Sequence, residues 1–460
     1  MIRYHARWVV PISAPPIRHG TVAEQGGRIA YVGPRADAPP GEDRDLGDVV
    51  LLPGLVNAHT HLELTAFRGL LEDLSFRDWI VALQAAKTAV MTRQAFLDSA
   101  RLGIAEGLRA GVTTYADTCD SGVAIEAMRD LGVRGIMYQE VFGPHPDPAR
   151  ARGAEQGLLD RLAAAGPLES DLRRLGVSPH APYTVSDPLF TLAARSGRPI
   201  AVHIAESEAE SQLVHDAAGP FAEPLRARGI PVAPRARSPI ALLERLGVLD
   251  ARPLLIHCVR ADAEDVRSIA AAGAAVAHCP VSNAKLGHGI APVTELLDAG
   301  IAVGLGSDSM AANNRMDLLE EARIAVLAQR VRALSANALS PPRALELATL
   351  GGARALGLAD RIGSLEVGKD ADLAAFPLPP GDADADPAAT AIFALGGTAA
   401  RFVAVAGTVR VWEWRLVEED VGLGERVAAI AQALRGSRKQ GAGSREQGAG
   451  GSSDASLLPS

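Results

Sequence analysis

The chain has 460 residues, is 48% hydrophobic and 22% charged, and carries a net charge of −8 at pH 7. That length permits a large core, or one barrel with a smaller partner domain, and excludes a peptide-sized binding module. The negative balance gives no overall attraction to nucleic acid or an anionic membrane, so a small-molecule partner is expected. Three cysteines, Cys119, Cys258 and Cys279, contain no Cys-x-x-Cys pair, so neither a disulfide framework nor a thiolate zinc cluster is supported. The only apolar run near the N-terminus, residues 8–12, is too short to span a bilayer, and none long enough follows. Cytoplasmic residence is the expectation, with homo-oligomerisation left open.

Residues 1–50 alternate short β-like segments with turns, at 6–12, 21–24 and 28–33 after Gly26-Gly27, and predict part of a small sheet. The pattern returns at residues 371–376, 402–406 and 408–417. Two half-sheets at opposite chain ends can pair into one β-sandwich. Between them, apolar runs alternate with Ala/Leu-rich helical stretches, at residues 51–62, 112–117, 132–142, 175–180, 199–206, 253–259, 274–281 and 301–308. Eight such runs predict an α/β fold, a closed (β/α)8 TIM barrel, with the composite sandwich beside it. The expected domains are therefore the N-terminal sandwich part (1–50), the catalytic barrel (51–364), the C-terminal sandwich part (365–435) and a disordered Gly/Ser/Gln-rich tail (436–460). The proline- and arginine-rich insertion 220–238 is expected as a mobile loop near the barrel mouth.

The first run ends in His59-Thr60-His61, whose alternate side chains share one strand face and make half a metal site. A chance pair is the competing explanation until further ligands are found. The other runs end in Asp117, Glu140, His180, His203 with Glu206, His257, His278 and Asp308. Such a barrel builds its active site on that C-terminal face, and core strands alone give ionisable groups no reason to gather there. Three neutral imidazoles and a carboxylate can hold a divalent ion that lowers the pKa of water to roughly 7. Glu206, three residues after His203, stands close enough to exchange protons with a substrate ring nitrogen and is the expected general acid and base; a solvated acidic run with Glu208 and Glu210 is the alternative.

In order along the chain, Asn57-Ala58-His59-Thr60-His61, Ser178 to Thr184, His203-Ile204-Ala205-Glu206, His257-Cys258, His278 to Leu286, Gly304 to Asp308 and Asn313-Asn314 resemble the amidohydrolase superfamily, in its deaminase and chlorohydrolase branch. The resemblance implies one catalytic metal, zinc or else iron, held by His59, His61, His203 and Asp308. It also implies that His257 hydrogen-bonds the attacking water or the developing oxygen, that Asp308 accepts the water's proton, and that His180 contacts substrate. The fourth run, 175–180, lacks the lysine that bridges two metals in binuclear members, so one metal is expected. The implied reaction is hydrolytic deamination of a purine-like ring by attack of metal-bound hydroxide. Leu62-Glu63-Leu64 and Ser75-Phe76-x-x-Trp79-Ile80 favour aminodeoxyfutalosine. Methylthioadenosine, S-adenosylhomocysteine, guanine, triazines and cyclic amides are alternatives on the same scaffold.

Phe76 and Trp79 can cover a planar base, or can form, with Ile80, an ordinary amphipathic face. Arg68 or Arg260 can meet a substrate carboxylate. Glu63 is expected to orient a ligand histidine, and His278 and His288 to be structural or to orient catalytic neighbours. His5, His19, His145 and His215 are expected at the surface or in loops, and Cys258 and Cys279 as small buried side chains.

Overall fold

A computed structural model describes residues 1–381 and 384–447, with side chains through residue 438. Eight parallel strands form its centre: Leu55–His61, Val112–Cys119, Arg134–Val141, Arg173–Pro179, Ala201–Ile204, Leu254–His257, Ala275–His278 and Val303–Leu305, the last resumed at Asp308–Ser309. A bridge from Val177 to Ile200 joins the fourth strand to the fifth, and Asp308 pairs with Thr60, so the ring closes. Inside it, Val56, Ala58, Ala116 and Ala277 leave room for Ala353, Leu356 and Ile362, which pack against them. Those three follow Pro341–Glu346 through a π-helical turn, Leu347–Gly351. A Cβ on Gly351 would stand 2.5 Å from the Val303 carbonyl oxygen, so glycine is what lets this turn approach the strand so closely.

Strands from both chain ends share one nine-stranded sheet. Trp8 and Val9 pair with Val50 and Leu51, and Val49–Pro53 runs antiparallel to Leu373–Pro377. The sheet curls: the Ala371 amide donates to the Gly27 carbonyl at 2.8 Å, and the Tyr4 and Phe402 rings meet at 4.6 Å. Its interior is a second core of Tyr4, Val22, Leu51, Leu373 and Phe402. The run 51–62 thus serves two layers. Through Pro53 it belongs to the end sheet, and after Gly54, whose amide donates to the Asp372 carbonyl at 2.8 Å, it becomes the first barrel strand. Proline and glycine break the strand where it must change sheets.

Three expectations are corrected. A helix, Leu423–Gln447, occupies the end of the expected sandwich part and the start of the expected tail; residues 448–460 of that tail lie outside the described residues. Leu423, Val427, Ile430 and Leu434 form a helical stripe packed against the cluster above the barrel mouth, which is why the segment orders. The insertion 220–238 is anchored: buried Phe221 stacks on Tyr183 at 4.2 Å, and Arg235 donates to Asp187 at 2.8 Å and to the Pro182 carbonyl at 2.6 Å. His5 is buried in the end sheet, 2.7 Å from both Thr21 and Asp43, because its strand position faces inward. Among the described residues no helix is long and apolar enough to cross a membrane.

Candidate active site

The ends of the first, fifth and eighth barrel strands bring His59, His61, His203 and Asp308 together. His59 Nε2 lies 3.5 Å and His61 Nε2 3.8 Å from Asp308 Oδ1, and the Nε2 atoms of His61 and His203 are 3.2 Å apart. The His203 Nδ1–H donates to the His180 carbonyl at 3.2 Å, which leaves a lone pair on its Nε2. His59 Nε2 is buried without a hydrogen-bond partner. Converging imidazole lone pairs beside a carboxylate repel or starve one another unless a cation lies among them, so these residues fit a divalent ion. Burial lowers the pKa of all three histidines, and for His61 the neighbouring His59 and for His203 the neighbouring His180 add to it. Neutral imidazole is the form that ligates. Burial would raise Asp308, but the close rings of His59, then His257 and His61, hold it below the ordinary carboxylate range.

The carboxylate is fixed on its far side, where Asp308 Oδ2 accepts the Ser282 hydroxyl at 2.5 Å and Oδ1 the Ser309 amide at 2.6 Å. Gly306 lets the eighth strand reach this point, because a Cβ there would stand 2.8 Å from the His59 Cβ. Across the cavity, Glu206 Oε1 lies 3.5 Å from His257 Nε2 and 3.3 Å from His288 Nε2. Burial pushes Glu206 up, but His257 and His288 outweigh it and its pKa falls, so it rests as a carboxylate. The His257 Nδ1–H donates to Asn283 Oδ1 at 3.0 Å, aiming Nε2 at Glu206 and the cluster of His59 and His203. Ala205, His257 and Asp308 hold φ of 49°, 76° and 57°, a left-handed backbone that non-glycine residues adopt at strain and that clusters at functional sites.

A model of the amidohydrolase family matches residues 50–410. The chain belongs to the amidohydrolase family. It is 34% identical over 433 residues to a 5-methylthioadenosine/S-adenosylhomocysteine deaminase of Syntrophobacter fumaroxidans, covering 90% of this chain and 94% of that one. A zinc-bound adenosine deaminase of Xanthomonas campestris superposes with a TM-score of 0.82 at 31% identity, over 95% of this chain and 98% of that one. The aminofutalosine deaminase of Helicobacter pylori, in complex with methylthio-coformycin, shares the fold at 20% identity and a TM-score of 0.75, over 89% of this chain and all (100%) of that one. This amidohydrolase is accordingly a hydrolase acting on carbon–nitrogen bonds.

The cavity of this amidohydrolase brings His180, Glu206, His257, Asp308 and Trp79 together with Phe76, Ile80, Leu83, Phe142, Tyr183 and Leu286. The His180 Nδ1–H meets Thr184 Oγ1 at 2.8 Å, and that hydroxyl donates to the Ala181 carbonyl, so His180 Nε2 is an acceptor facing inward. Burial takes the His180 pKa down to about 4, keeping it neutral at pH 7. Arg68 is a correction: it pairs with Glu106 and does not line the cavity, and Arg260 likewise pairs with Glu208. Long cations at the rim found carboxylates on neighbouring elements that the sequence order does not reveal. Asp117 stands behind the strand end of His59 and His61, accepting the Leu62 amide at 2.6 Å and the Thr60 hydroxyl at 2.8 Å. Glu63 meets Lys87 and Ser121, with no ligand histidine among its hydrogen-bond partners. Ser282 and Asn283 are the residues whose roles sequence reasoning missed; both lie inside the motif from His278 to Leu286, where their spacing alone did not show which way they point, whereas His288, expected to be structural or to orient a catalytic neighbour, stands 3.3 Å from Glu206 Oε1.

Proposed function

We propose that this amidohydrolase is a metal-dependent deaminase that removes the 6-amino group of an adenine-type nucleoside. The observation that carries it is Glu206, buried and ionised between His257 and His288, opposite the four-residue ligand set. A hydrolase of exposed amides has no need of a buried proton carrier at ring-nitrogen reach; a ring deaminase does. His59, His61, His203 and Asp308 hold the ion, zinc in the first instance and iron in the second. When bound, it supplies Lewis acidity that makes water nucleophilic near neutral pH. Glu206, a carboxylate at rest, would take one proton from the attacking water and deliver it to the ring nitrogen, and Asp308 would take the second and pass it to the amino group, which leaves as ammonia when its bond to the ring carbon breaks. His257, whose bond to Asn283 leaves Nε2 as the acceptor, takes a hydrogen bond from the attacking water through Nε2. His180 accepts from a substrate N–H or O–H, and Phe76 and Trp79 cover the base.

The apolar wall suits an aromatic or thioether substituent on the sugar. Aminodeoxyfutalosine is the preferred substrate, its carboxylate directed to solvent because no lysine or arginine lines the cavity among the described residues. Methylthioadenosine is the second reading, favoured by the relative named for it. The test is ammonia release by metal-loaded enzyme from adenosine, methylthioadenosine, S-adenosylhomocysteine and aminodeoxyfutalosine. Turnover of at least one is expected, lost on chelation, and lowered about 10²–10⁴-fold in kcat by Glu206→Gln with the metal retained. No ammonia from any of them, with one equivalent of metal bound, would overturn the proposal.

A further inference from the structure

We infer that Lys87 is a positioning residue, tying the helix that roofs the cavity to the turn that follows the strand of His59 and His61. The roof helix, Phe76–Val90, starts at Ser75, whose hydroxyl caps the Asp78 amide. Phe76, Ile80, Leu83 and Lys87 follow helical spacing down one face, and the first three line the cavity. At the far end of that face, Lys87 Nζ lies 3.1 Å from Asp120 Oδ2 and 3.4 Å from Glu63 Oε1, and over the Phe96 ring at 5.6 Å.

Glu63 is only 1% exposed and stands two residues after His61, in the turn Leu62–Phe67. Its other oxygen, Oε2, accepts the Ser121 amide at 3.0 Å, the Ser121 hydroxyl, and the Cys119 thiol at 3.1 Å. The ammonium is therefore bonded at once to that turn and to the loop after the second barrel strand. Burial works against its charge, but Glu63, Asp120 and Glu140 outweigh burial and its pKa is raised. Among the described residues, no other charged side chain of this helix pairs with the barrel; Arg77 and Asp78 pair with each other. The outer face rests on the helix Leu423–Gln447, so Lys87 alone fixes the roof to the barrel by charge. Glu206 and His257 come from the fifth and sixth strands and do not depend on that tie.

The kinetic part of this inference rests on the deaminase proposal; the exchange part does not. Lys87→Met should raise KM about tenfold while kcat stays within about threefold, with one metal still bound and Lys87→Arg restoring most of the loss. Amide exchange in residues 76–90 should quicken in Lys87→Met while barrel strands keep their protection. Where Lys87→Met leaves too much unpaired charge to fold, Asp120→Asn weakens the outer half of the tie and should produce the same split more weakly. An unchanged KM with unchanged exchange overturns the inference, and so does a joint loss of kcat and metal, which would make Lys87 a support of the turn Leu62–Phe67 alone. A wild-type enzyme that releases no ammonia would defeat the substrate proposal, while exchange would still decide the role of Lys87.

Discussion

His278 shows how much one side chain owes to its surroundings. It ends the seventh barrel strand, both ring nitrogens are buried without partners, and burial takes its pKa down to about 3. The unfolded chain binds a proton at this histidine below about pH 6.5 while the folded protein does not. Stability is therefore full above 6.5 and falls on acidification through the window from 6.5 to about 3. The expected slope from this group is about 1.4 kcal/mol per pH unit. Urea melts between pH 7 and pH 5 should show it, and His278→Asn should flatten the slope by about one proton; equal slopes in the two proteins would remove His278 as the cause. At the same scale, the convergence of His59, His61, His203 and Asp308 with Glu206 was legible because a two-residue strand spacing and short motifs encode it. The place of Lys87 was not, since a lone lysine carries no sign of the carboxylate it will meet.

The helix Leu423–Gln447 is the element that sequence composition concealed. Gly, Ser and Gln from residue 436 onward read as a tail, yet Leu423, Val427, Ile430 and Leu434 recur at helical spacing just before it. Their stripe packs on the roof helix and the turn after the first barrel strand, and Arg438 reaches the Leu70 carbonyl. Leu434 is fully buried. Leu434→Ala should cost about 2–5 kcal/mol, read as a lower midpoint in thermal or urea unfolding. A surface segment would tolerate the change within about 0.5 kcal/mol, so the two pictures separate clearly.

For the whole molecule, the joint between barrel and end sheet rests on Arg134. It is a buried arginine on the third barrel strand, and its guanidinium meets Asp370 at 2.9 Å and Asp372 at 3.1 Å, both at the return of the chain into the sheet. Asp372 Oδ1 also accepts the Ala406 amide at 2.7 Å, so one network spans the two layers. Arg134→Met leaves Asp372 buried without its cation, while Asp370 keeps Arg361 at 2.7 Å, and should cost about 3–5 kcal/mol. Differential scanning calorimetry should show the two layers melting apart in the variant; a single transition at the wild-type temperature would mean that apolar packing alone joins them.

The barrel was readable in the sequence because strands covered on both faces become apolar runs, and the polar face of the barrel was readable because ionisable groups ended those runs. Partner choice was not. Pro53-Gly54 marks a break, but only the pairing of Val49–Pro53 with Leu373–Pro377 shows that the strand changes sheets there. Arg68 and Arg260 present the same chemistry in sequence as a substrate anchor would, and only their meeting with Glu106 and Glu208 removes them from the cavity. Periodicity and motif spacing are local and survive in one dimension, whereas the partner of a buried charge is set by chain segments dozens to hundreds of residues away that only folding brings within a few ångströms.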